Sequence, residues 1–370
     1  MPESVSDLES RLLHAEGLDR TELLIRLAKT LLQSEPGRSE ALYTEALDMS
    51  SSLSNPPGEA LAFFGLGECA RVSGDYLKAL EQYSAALHLA EPQDDNFLHG
   101  KCLRRLGDMQ YYLNNLDFSL RYYLQALRIF EEVESIKDED YPRLHVGHLL
   151  SAIGNVLKSS GDNSGAMDYY RKSMRVYQEL DYSDGIPGVG YNIGTLLQED
   201  GRLDEAAAAY RNTLDYALEN GEQYLASLSL NSLGSIFLEK GDFEKASVHF
   251  HRSMETSRGI NRKRGILVSL LKLIELKRLQ DNHKESLDIS IQAENLAREL
   301  ADRAMLCDVL RERARAHEMN GDHQSAYLSL REYLEIRQEQ LSEKRVRQID
   351  VLRLYYVTEE REEEIKKLSL

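Results

Sequence analysis

Apolar residues along this chain return at helical spacing in short runs, each closed by a turn. In SLGSIFLEKGDFEKASVHFHRSM, which begins at Ser232, Leu233, Gly234 and Phe237 continue a face started by Leu230. Gly241 then breaks the helix where a positive φ is cheap, and Ala246, Phe250 and Ser253 resume the period. The pattern predicts two antiparallel helices joined by a tight turn. Gly234 and Ala246 are small, which predicts that the two helix backbones approach there.

The same pattern recurs along the chain. GLGECARVSGDYLKALEQYSAAL starts at Gly65, RLGDMQYYLNNLDFSLRYYLQAL at Arg105, AIGNVLKSSGDNSGAMDYYRKSM at Ala152 and NIGTLLQEDGRLDEAAAAYRNTL at Asn192. Two degenerate copies follow from Leu273 and Arg313. The turns fall at Gly74, Asn114, Gly161, Gly201, Gly241, Asp281 and Gly321, spaced by 40, 47, 40, 40, 40 and 40 residues. A fixed period of this length predicts a solenoid, with one insertion near residues 135–142, SIKDEDYP.

Leu-Gly, the Gly-Asp turn and the small–aromatic–small series of the second helix resemble the tetratricopeptide repeat over about residues 58–335. The forty-residue length is similar to the repeats of the Rap phosphatase regulators and of bacterial sensor proteins. The resemblance implies an all-α, right-handed α-solenoid of about eight helix pairs, with a concave groove lined by the first helices. Residues 1–57 are expected to form a degenerate capping pair, 58–335 seven repeats, and 336–370 a capping or exit helix. An apolar seam at Val346, Ile349, Leu352 and Tyr356 fails across residues 358–364 and is too short for a self-sufficient coiled coil, so the last helix reads first as a cap, with a homodimer through it as the alternative.

Charge alters the picture more than composition does. With 45 Lys+Arg against 62 Asp+Glu the net charge is −17, which disfavours nucleic acid and anionic membranes as partners. No apolar run reaches the roughly 18 residues a membrane span needs. Cys69, Cys102 and Cys307 lie far apart in apolar surroundings and read as buried thiols of a cytoplasmic protein.

Candidate chemistry is thin. His249 and His251 sit about 200° apart on a helix and cannot share a metal. His145 and His148 have a workable spacing but no companion ligands, so all four read as surface or groove residues. DGIPGVGYNIG, from Asp184, has the glycines of a phosphate loop without the preceding strand or the Lys-Ser/Thr; it reads as the start of a first helix, with Pro187 in its first turn. No nucleophile elbow or zinc-protease motif occurs. The expectation is a non-catalytic protein with no cofactor and no metal.

Carrying the family register onto this chain turns Lys101, Arg104, Tyr111, His148, Asn155, Lys158, Tyr191, Gln198, Asn231 and Ser235 toward the groove. Such a strip suits a partner peptide or protein segment carrying acidic residues or a free C-terminus. Two functions remain open: a stand-alone interaction module acting as regulator or adaptor in bacterial signalling, or the sensory input domain of a larger signalling enzyme such as a diguanylate cyclase or histidine kinase.

Overall fold

The computed structural model describes residues 4–90, 96–134 and 140–368. The chain forms two compact units, Met1–Tyr182 and Ser183–Leu370, both all-α. The first holds α1 (Val5–Leu12), α2 (Gly17–Leu31), α3 (Pro36–Ser52), α4 (Pro56–Ser73), α5 (Tyr76–Ala90), α6 (Asn96–Tyr112), α7 (Leu116–Glu134), α8 (Asp140–Ser159) and α9 (Asn163–Glu179). The second holds α10 (Ile186–Glu199), α11 (Leu203–Glu219), α12 (Gln223–Glu239), α13 (Phe243–Gly259), α14 (Lys263–Leu279), α15 (His283–Glu299), α16 (Arg303–Met319) and α17 (His323–Leu368). The helices pair from α2/α3 to α16/α17, which makes eight pairs with α1 ahead of them, as expected of an all-α solenoid. Of the expected insertion, residues 135–139 lie outside the described residues, and Asp140 opens α8.

The turns follow from local chemistry. All seven residues read as turn positions have positive φ, from 56° at Asp281 to 90° at Gly161. At each, the next residue's N–H returns to a carbonyl five residues back, as in Asp162 N to Leu157 O and Asp242 N to Phe237 O, both 2.9 Å. Where that next residue is Asp75, Asp162, Asp242, Asn282 or Asp322, its side chain also caps the following helix, the Asp162 carboxylate accepting from Gly165 N and Asp242 from Lys245 N, whereas Arg202 makes no such bond. Gly-Asp therefore ends one helix and starts the next. A second series, Asp181, Gly221, Asn261 and Ala301, also has positive φ at intervals of forty residues and joins one repeat to the next; its mixed residue types hid it in the sequence.

Within each pair that carries the Leu-Gly or Ile-Gly glycine, the small residue of the second helix is buried beside that glycine, and Ser119 Oγ donates to the Gly107 carbonyl at 2.9 Å, as the expected backbone approach requires. That glycine also receives the aromatic ring of the second helix. A β-carbon at Gly67, Gly107, Gly154 or Gly234 would lie 2.5–2.6 Å from Tyr83, Tyr123, Tyr170 or Phe250. The degenerate copy keeps the volume and reverses its parts, with buried Ile274 at the glycine position and buried Ser290 at the aromatic one.

The last pair differs at its outer face. Leu214 and Met254 are 7% and 8% exposed on α11 and α13, where a following first helix covers them, whereas the equivalent Leu334 on α17 is 60% exposed. Of the seam expected further along, Val346 is exposed, and Ile349, Leu352 and Tyr356 lie outside the described side chains.

Two glycine substitutions separate packing from helix propensity. Gly154→Ala meets Tyr170 and is expected to lower stability by about 1–3 kcal/mol through overpacking. Gly188→Ala, in α10 with open space around it, is expected to gain about 0.5–1 kcal/mol. Urea denaturation of the two variants beside wild type checks both signs.

Candidate binding strip on the first helices

The second-helix tyrosines do more than fill the glycine sockets. Their hydroxyls cross to the polar edge of the first helix, where they hold the residue just after the glycine. Tyr83 donates to Glu68 and Tyr123 to Asp108, both at 2.7 Å; Tyr170 donates to Asn155 at 2.7 Å. In the second unit Tyr210 reaches Gln198 Oε1 instead, at 3.2 Å. Each of these four tyrosines thus fixes both the core and one side chain of the strip.

In the first unit, α6 and α8 carry the charged part of the strip. Glu68 of α4 is buried, and burial would raise its carboxyl pKa, but Arg105 and Arg71 outweigh that and hold it below the ordinary range. Arg105 Nε donates to Glu68 at 2.6 Å and its Nη1 to Asp108 at 3.1 Å, while Arg71 donates to Glu68 at 2.8 Å. Two carboxylates and two guanidiniums therefore neutralise one another.

Lys101 and Arg104 stand outside that balance. Neither makes an ion pair among the described residues; Lys101 Nζ lies 4.9 Å from the Phe64 ring centre and 5.5 Å from that of Phe97. Burial lowers the pKa of both cations. The same burial, with Arg104 nearby, depresses His145 to about 3 and His148 to about 4, so both imidazoles are neutral at physiological pH. His148 Nδ1 lies 2.7 Å from the Tyr177 hydroxyl.

Not every expected strip residue joins this group. Tyr111 bonds Ser159 at 3.1 Å across α6 and α8. Lys158 lies ten residues beyond His148, about 15 Å along the helix, in the last turn of α8, where its charge suits the helix terminus. His145 corrects its expected surface or groove position: it is buried and stacked on Phe130, with centroids 4.6 Å apart. The signal for it was its place on the apolar face of α8, beside Val146 and Leu149.

In the second unit the strip is knitted together. Tyr191 bonds Ser232 at 3.0 Å, and the Gln198 amide donates to Glu239, each linking α10 to α12. Asn231 is buried, and its Oδ1 accepts from Ser269 of α14 at 3.2 Å; Ser235 donates to the Asn231 carbonyl. Tyr191, Gln198 and Asn231 thus tie neighbouring first helices to one another, while the Ser235 bond stays within α12. His249 stacks on Phe237, and no cluster of three metal-ligating side chains exists among the described residues. No helix among them is long and apolar enough to cross a membrane.

The two histidines give stability a pH dependence. Each has a folded pKa below the unfolded value near 6.5, so the unfolded chain binds more protons between those limits. Their contribution is complete above about pH 6.5 and is lost as pH falls toward 4. His145→Phe and His148→Gln should each flatten the fall in stability between pH 6.5 and 4.5, as measured by urea midpoints at a series of pH values.

Comparison with known proteins bears on the whole array. A family model described as the MalT-like TPR region matches residues 143–368, and one for the tetratricopeptide repeat matches residues 58–132. Tetratricopeptide repeat protein 29 of Macaca fascicularis is 22% identical over 153 residues, 40% of this chain and 31% of that protein. The chain thus spans about a third of that relative's length. Among solved structures, the apo form of the quorum sensor NprR from B. thuringiensis superposes with a TM-score of 0.71 at 13% identity, covering 90% of this chain and 91% of that one. A Rap protein complexed with Competence and Sporulation Factor gives 0.62 at 17% identity, covering 92% of each chain. A STAND protein with a tetratricopeptide repeat sensor from Pyrococcus horikoshii gives 0.62 at 16%, covering 90% of this chain and 55% of that one. These structural likenesses speak for the fold, and the family match takes in more than half of the sequence: the chain belongs to the tetratricopeptide repeat proteins with a MalT-like TPR region.

Proposed function

We propose that the chain is a non-catalytic interaction module that binds a partner peptide or protein segment along its first-helix strip, as a regulator or adaptor in bacterial signalling. The observation that carries this reading is the tyrosine clamp. Tyr83, Tyr123, Tyr170 and Tyr210 hold strip residues in place from behind, so those side chains are oriented before any partner arrives. A recognition surface set in advance loses less entropy on binding. Lys101 and Arg104 favour a partner that brings acidic residues or a free C-terminus, against the −17 charge of the whole chain. The buried free thiols of Cys69, Cys102 and Cys307 suit a reducing cytoplasm.

The alternative, a sensory input domain of a larger signalling enzyme, is favoured by α17. Its exposed Tyr327, Leu330, Leu334 and Leu341 lie on a helix that runs on to Leu368, a face through which a ligand-bound array could act on a second copy or an output domain. On that reading the face pairs with α17 of another chain.

A photo-crosslinking amino acid at Tyr111 or Tyr191 is expected to capture the partner segment, and one at exposed Lys172 of α9 to capture none. Equal capture from all three positions, or capture from Lys172 alone, overturns the strip reading. For the pairing of α17, sedimentation velocity at micromolar concentrations should find a dimer that Leu334→Glu converts to monomer. A monomeric wild type rejects the pairing.

A further inference from the structure

Arg104 carries a charge that the fold leaves unanswered. Its Nε is fully buried and has no hydrogen-bond acceptor among the described residues. The carboxylates around it, Glu68 and Asp108, are engaged by Arg71, Arg105, Tyr83 and Tyr123. Lys101, one helical turn away on α6, is also without an ion-pair partner. His148 of α8 faces the same place, its Nδ1 taken by Tyr177. A partly buried cation without a counterion costs stability, and two together cost more because they repel. A guanidinium whose own donor has no partner is matched by a planar oxyanion, which accepts two parallel N–H bonds.

We propose that Arg104, flanked by Lys101 and His148, forms an oxyanion subsite that takes one carboxylate of the partner segment. The proposal rests on the strip reading above and names the chemical group that the strip reads at α6. The charged and titratable groups around the subsite are Lys29 from α2, Glu68 and Arg71 from α4, and Tyr83 from α5. Arg105 and Asp108 from α6, Tyr123 from α7, His145 from α8 and Tyr177 from α9 complete the set. Every carboxylate in it is already paired, so the missing negative charge must come from outside. An anion bound there would favour protonated His148, because the Arg104 charge that now depresses the imidazole would be offset. Binding should therefore strengthen as pH falls from 7 to 5.

The test uses the full chain as wild type, Arg104→Gln, Arg104→Lys and Lys101→Met. Acetate and inorganic phosphate are compared with chloride at matched ionic strength. In wild type, acetate is expected to shift the Arg104 Nε–H resonance and to raise the melting temperature by about 2 °C or more, an effect that grows toward pH 5. Arg104→Gln should lose that response and, in chloride, melt above wild type, since it removes an unpaired, partly buried charge; Arg104→Lys should keep part of the response. A displayed peptide library with free C-termini is then selected on wild type and Arg104→Gln. Loss of capture by about tenfold or more in the variant is expected. Amidated peptides and Asp/Glu→Asn/Gln peptides show whether the carboxylate is terminal or from a side chain. A phosphate response without an acetate response overturns the carboxylate assignment. So does an acetate response identical in wild type and Arg104→Gln, or equal peptide capture by the two. An Arg104-dependent acetate response with no peptide captured by wild type upholds the subsite and rejects the strip reading, so the two can fail separately.

Discussion

Five successive pairs depend on one contact: the aromatic ring of the second helix seated on the Leu-Gly or Ile-Gly glycine of the first, at Gly67, Gly107, Gly154, Gly194 and Gly234. The glycine exists because Tyr83, Tyr123, Tyr170 and Phe250 occupy the space its β-carbon would fill. A ring buried there contributes on the order of 2–3 kcal/mol through apolar area. Exposed ion pairs between the two helices of a repeat, such as Arg143 with Glu179 and Lys263 with Glu299 at 2.5 Å, contribute about 0–1 kcal/mol each. The rings therefore set the geometry, and the ion pairs decorate it.

The same contact links stability to recognition. A phenyl ring would satisfy the socket, as Phe250 does, yet four repeats use tyrosine and spend the hydroxyl on a strip side chain. Where the second helix carries Phe250, the strip residue after the glycine, Ser235, bonds instead to the carbonyl of Asn231 in its own helix. Thr195, the residue after Gly194, likewise bonds a carbonyl of its own helix, that of Tyr191, and there the Tyr210 hydroxyl reaches Gln198 instead.

Charge is distributed unevenly between the units. In the second unit, buried Glu312 is met by Arg278 and Arg315, much as Glu68 is met by Arg71 and Arg105 in the first. The first unit adds Lys101 and Arg104 without adding carboxylates to match. A half-buried cation without a counterion works against folding, so its presence marks a place where the chain gives up stability for something other than stability.

The sequence by itself determined the repeat, its period and its turns. Gly74, Gly161, Gly241 and even Asp281 could be named in advance because a helix stop followed by an N-cap is decided within about six neighbouring residues. The number of helix pairs followed from that count. What only the tertiary structure decided was which strip side chains are engaged. Asn231, Gln198 and Tyr191 read as groove residues by register, yet they bond to neighbouring first helices about forty residues away. His145, at a spacing that looked like surface chemistry, is part of the core. Arg104 and Arg105 are adjacent and alike in sequence, but one is paired twice and the other is unpaired. That difference is fixed by where Glu68 and Asp108 fall in three dimensions, because charge compensation depends on distance across helices and on burial, neither of which a local pattern encodes.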